Sequence, residues 1–94
     1  MSQIRRIIYM EEILNEAQGA AQQLMDALGR YRAVKRRLDE LEAYYTSGQW
    51  MKDHEDDCEG KLPADLKRGV LSEDAVYNLL EMKSELEMML KDGL

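Results

Sequence analysis

Ninety-four residues carry a net charge of −6 from 19 acidic and 13 basic side chains, with 45% hydrophobic residues, no Phe, one Pro and one Trp. That length bounds the chain to one domain, 1–94, with a core but little room for a deep cleft, and the composition suits long helices rather than a β-sandwich. The acidic balance argues against nucleic acid as a partner, and the single Cys excludes an internal disulfide.

The first predicted element is one long amphipathic helix from about Ser2 to Tyr45. Ile7, Leu14, Ala21 and Leu28 recur at seven-residue steps. Met10, Ala17, Leu24, Tyr31, Leu38 and Tyr45 form a second row, and Ile13, Ala20, Ala27, Val34 and Leu41 a third. Three apolar positions in seven make a broad face. The phase holds through Gly19 and Gly29, which favours continuity, although either glycine could mark a bend. The opening residues hold an apolar run too short for a signal peptide, and nothing approaches the ~20 apolar residues of a membrane span. A cytoplasmic protein with no membrane partner is therefore expected.

Arg30, Arg32, Lys35, Arg36 and Arg37 form a basic cluster at the end of this helix. Asp39, Glu40 and Glu42 follow at helical spacing, so ion pairing is expected rather than a phosphate clamp. The next punctuation is Tyr44-Tyr-Thr-Ser-Gly-Gln-Trp50, where Thr46 and Gln49 fit a capping box. A short helix over about 49–59 should follow, with Trp50 covering the end of the core beside Tyr44 or Tyr45.

Within that helix Asp53, His54, Asp57 and Cys58 have the residue types of a metal site, and His54 and Cys58 are one turn apart. With one His and one Cys in the chain, the paired spacing of a structural zinc site is missing. We read His54, Asp57 and Cys58 as weak candidates on a solvated acidic face, and expect no cofactor.

The densest run of local instructions is Lys61-Leu-Pro-Ala-Asp-Leu-Lys-Arg-Gly-Val-Leu-Ser-Glu-Asp74. Pro63 can open a turn, and Gly69 can end it in the left-handed conformation. Ser72 can cap a last helix over about 73–91, with Leu71 stapled onto Val76. Tyr77 is expected to pack over the Leu62–Pro63 turn. In the last helix Ala75, Leu79, Met82, Leu86 and Met89 form another apolar stripe.

The run from Trp50 to Asp57 and the element from Gly60 to Leu80 resemble a family of small bacterial helical proteins of unknown function. Its pattern is a long N-terminal helix, a Tyr-Tyr…Trp junction and Leu-Pro-x-Asp-Leu-Lys-Arg-Gly-Val-Leu-Ser-Glu-Asp. The resemblance implies a bacterial all-helical protein and no particular activity. In size the chain is also similar to small secreted helical hairpins with a Trp-x-Gly turn, but here the order is reversed, Gly48-Gln-Trp50.

The resulting expectation is an all-α protein: a long amphipathic N-terminal helix, a short middle helix, an ordered turn and a C-terminal helix packed back as a hairpin or bundle. At 1.5 Å per residue the first helix would reach roughly 65 Å and the last roughly 30 Å. The shorter cannot cover the longer, so Ile4, Ile7, Ile8 and Leu14 would lack an intrachain partner. Leaving such a stripe in water forgoes several kcal/mol at about 25 cal/mol per Å². A homodimer, and beyond it another protein, is the expected partner. Asp65, Lys67, Arg68 and Glu73 on the ordered turn form a second candidate interaction surface. No nucleophile–base pair and no phosphate loop is recognisable, so no enzymatic activity is expected.

Overall fold

The computed structural model describes residues 2–93. Among them are three α-helices, α1 (Gln3–Tyr45), α2 (Gly48–Cys58) and α3 (Ala75–Lys91), one short 3-10 turn (Gly69–Leu71) and no strand. The all-α architecture follows from the periodicity of the apolar rows. The residues fall into two compact units, one ending at Arg36 and the other beginning at Arg37.

The first unit is helical from Gln3 onward. Ser2 Oγ accepts the backbone N–H of Arg5 at 3.2 Å, which satisfies one of the donors a helix start leaves open. The α-helix runs through Gly19 and Gly29 without interruption. Ile4, Ile7, Ile8, Met10, Ile13 and Leu14 are exposed, from 71% at Ile4 to 45% at Ile13. Leu24, Met25 and Val34 continue the exposed stripe, while Leu28 and Tyr31 are half-buried.

Among the described residues, the buried apolar side chains are Leu38, Trp50, Leu71 and Val76, all in the second unit. They come from all four of its elements, so each element is anchored by one side chain in a small core. Lys83 joins α3 to the end of α1. Its Nζ donates to Glu42 Oε2 at 2.7 Å and lies 3.5 Å from Asp39 Oδ1, with the side chain largely buried. The methylene stem packs while the ammonium keeps two carboxylates. The hydrogen bond to Glu42 is the main reason the Lys83 ammonium is held above the ordinary lysine range.

The helix ends depart from the sequence expectation in three places. No capping box forms at Thr46: its hydroxyl bonds back to the carbonyl of Glu42 at 3.0 Å, and Ser47, the residue before α2, donates to Tyr44 O at 2.6 Å. Both hydroxyls therefore satisfy carbonyls at the end of α1 rather than amides at the start of α2. Gly69 does not take the left-handed conformation; it opens the 3-10 turn instead. The left-handed position between α2 and α3 is Gly60, with φ of 72°. There Lys61 N bonds Asp56 O at 2.9 Å and Gly60 N bonds Asp57 O at 3.1 Å, the paired closure that ends a helix on glycine. Finally, α3 begins at Ala75 rather than Glu73, although Ser72 still contributes. Its Oγ accepts Ala75 N at 3.2 Å and donates to Gly69 O at 2.9 Å.

Candidate functional site

Trp50, His54 and Cys58 are spaced by four, which sets them on one face of α2. The indole and imidazole stack with centroids 4.9 Å apart and planes 7° from parallel. Tyr45 meets the indole edge-on, with centroids 4.9 Å apart. Trp50 Nε1 donates to Val70 O at 2.9 Å, and His54 Nδ1 lies 2.7 Å from Leu71 O. A carbonyl only accepts, so Nδ1 carries the proton. In the neutral ring Nε2 is then the acceptor, and Cys58 Sγ sits 3.7 Å from it. Two adjacent ring donors thus hold two consecutive backbone carbonyls and fix the 3-10 turn against α2.

A second set of bonds ties the loop from the other side. Arg68 pairs with Asp57 Oδ1, donates through Nη2 to Pro63 O, and reaches Leu66 O through Nε at 3.4 Å. Leu66 N closes a turn onto Pro63 O at 3.2 Å. Arg68, expected as part of a display surface, instead staples the loop it sits on. Asp65, Lys67 and Glu73 are exposed.

Asp53 is occupied as well. It accepts Tyr44 Oη at 2.6 Å and Gln49 Nε2 at 2.9 Å. These bonds, Tyr44 first, hold its carboxyl below the usual carboxylate range. Loss of hydration and then the bond to Asp53 push the Tyr44 phenol up to about 12. Tyr77 is about half exposed rather than packed down, and its bond to Glu81 raises its phenol.

The metal candidates are thereby divided. His54 and Cys58 meet, but Asp57 is committed to Arg68 and Asp53 to Tyr44 and Gln49. Among the described residues no three His, Cys, Asp or Glu side chains lie together as a metal site. Cys58 is exposed and ends α2.

The family described as a domain of unknown function (DUF4298) matches residues 7–92. The chain belongs to that family. No curated protein and no solved structure matches it. The DUF4298 match covers most of α1 and all of α2, the turn and α3, in agreement with the expected family of unknown function. Among the described residues no helix is long and apolar enough to cross a membrane.

Two features of this DUF4298 chain were not expected from its sequence. The carbonyls of Val70 and Leu71 are the acceptors that anchor the turn, and backbone acceptors leave no side-chain signature. The Trp50–His54 stack was open to discovery, since its four-residue spacing on a predicted helix is enough to bring two rings together. His54, Trp50 and Asp57 of α2 are turned onto the loop, whereas Ile4, Ile7, Ile8, Met10, Ile13 and Leu14 leave an exposed apolar stripe on α1.

Proposed function

We propose that the protein is a cytoplasmic interaction module that works as a homodimer through the first part of α1, binding rather than catalysing. The observation that carries this is the exposure of Ile4, Ile7, Ile8, Met10, Ile13 and Leu14 on one helix. Fully burying such a side chain contributes about 1.5–3 kcal/mol. Six of them, each about half exposed or more, offer on the order of 6–10 kcal/mol per copy. A helix carrying that much apolar surface marks an interaction site. A second copy brings the same stripe, so a two-fold pair covers both at once. The α2–turn–α3 unit then serves as a rigid end-piece, fixed by Trp50, His54 and Arg68, from which a further protein partner can be engaged.

The test is molar mass by light scattering across a hundredfold range of concentration. The proposal requires a species of twice 10.9 kDa that dissociates on dilution. It also requires that Ile7→Glu with Leu14→Glu leave a folded monomer. A wild-type chain that stays at monomer mass at every concentration rejects it.

A further inference from the structure

The seven-residue rows do more than mark a surface, because they restrict how two copies of it can meet. We infer that residues 9–36 of α1 pair with the same residues of a second copy in an antiparallel coil, with the two-fold axis passing between Gln22 and Gln23. This rests on the homodimer reading above and adds to it an orientation and a register.

Three observations select the arrangement. The first is period. The rows keep a strict step of seven, whereas a straight helix drifts by about 20° per heptad. A stripe that does not drift suits a supercoiled partner along its length. The overlap spans about four heptads, enough for a stable coil by the usual minimum of three to four.

The second is size. In an antiparallel coil the first row of one copy faces the second row of the other. With the axis at Gln22–Gln23, Leu14 faces Tyr31, Ala21 faces Leu24 and Leu28 faces Ala17. Along the apolar edge, Ile13 faces Val34 and Ala20 faces Ala27. Two of the three central layers thus pair a small residue with Leu, so backbone spacing stays even. Leu14, Leu24, Ile13 and Val34 are exposed and can take up these positions, whereas Leu28 and Tyr31 are half-buried, with the Tyr31 hydroxyl covered by the chain itself, and offer only their remaining exposed surface. A parallel pair would instead stack Ala17 on Ala17 and Ala21 on Ala21 between layers of Leu on Leu.

The third is charge. The opposite edge of the stripe holds Glu11, Gln18, Met25 and Arg32. In this register Glu11 of one copy faces Arg32 of the other, twice by symmetry, and Gln18 faces Met25. A parallel pair would set Arg32 away from any Glu11 and bring Arg30, Arg36 and Arg37 alongside their own duplicates, and like charges so placed repel.

Distance measurement between spin labels separates the possibilities. With Cys58→Ser as background, a label introduced by Glu12→Cys should lie about 32 Å along the axis from its symmetry mate. A label introduced by Asp26→Cys should lie about 10 Å along the axis from its mate. A parallel pair would give short distances at both positions, and a one-heptad slip would shift both by about 10 Å; either result overturns the inference while leaving the homodimer intact. Charge reversal is the second readout. Glu11→Lys and Arg32→Glu should each weaken dimerisation by about tenfold, from two pairs turned from attraction to repulsion. The double reversal should restore it in the antiparallel register. In a parallel pair Glu11 would face Arg6 instead, so the double variant would stay weak, and that result also overturns the inference. Monomer mass for the unsubstituted chain would instead remove the reading on which it depends.

Discussion

Replacing Trp50 by Phe isolates what holds the turn to α2. The indole is 8% exposed, stacks on His54, and gives its only N–H to Val70 O at 2.9 Å. Phe keeps an aromatic ring but has no donor, so the Val70 carbonyl loses its partner at a cost of about 1–2 kcal/mol. The smaller ring leaves a void beside Tyr45 and His54, adding roughly 1–2 kcal/mol. The sum, about 2–4 kcal/mol, is a large share of the ~5–10 kcal/mol expected for a chain of this length. It should lower the thermal midpoint by about 10–20 °C. Circular dichroism at fixed protein concentration reads this without relying on the lost fluorophore. Because the loss falls on the α2–turn–α3 unit, amide exchange should accelerate at Leu71 to Leu80 and much less at 4–25. A change below 0.5 kcal/mol, or equal acceleration in both places, would refute the view that the Trp50 bond anchors the turn.

Two further outcomes follow from the polar clusters. Arg68→Met should destabilise by about 1–2 kcal/mol, because Asp57 and the Pro63 carbonyl both lose a donor, whereas Lys67→Ala should stay within 0.5 kcal/mol; chemical denaturation of the two side by side checks the contrast. Tyr44 should ionise near pH 12 by ultraviolet difference absorbance, and Asp53→Asn should bring it down. A phenol whose folded pKa is raised contributes stability that is complete below the unfolded value near 10. That stability is lost as pH climbs through 12. Asp53 acts in the opposite sense: its folded pKa is lowered, so its contribution is present above the ordinary carboxylate range and disappears as acid is added.

The helices were legible because their apolar residues repeat. Ile7 through Leu28 and Ala75 through Met89 each keep one phase, and nothing in the folded chain competes with it. Helix ends were less so, since Thr46, Ser47 and Ser72 each had two ways to satisfy backbone groups. Thr46 and Ser47 chose carbonyls behind them, while Ser72 served both directions. Of the two glycines bounding the turn, Gly69 was expected to be left-handed. Only Gly60 took the positive φ, because Trp50 and His54 draw the chain at Val70 and Leu71 into a 3-10 turn. Arg68 looked like a surface charge because its spacing to Asp57 carries no helical signature. Its partner became visible only once the loop had folded back across α2.

Residue-resolved hydrogen exchange over 4–25, at two protein concentrations a hundredfold apart, tests the central claim most directly. An isolated helix edge opens readily, whereas one covered by a second copy does not. Protection at Met10, Ile13 and Leu14 should rise with concentration and fall away on dilution. Strong protection that is the same at both concentrations would mean that the chain shelters this stripe by itself. That result would contradict the account.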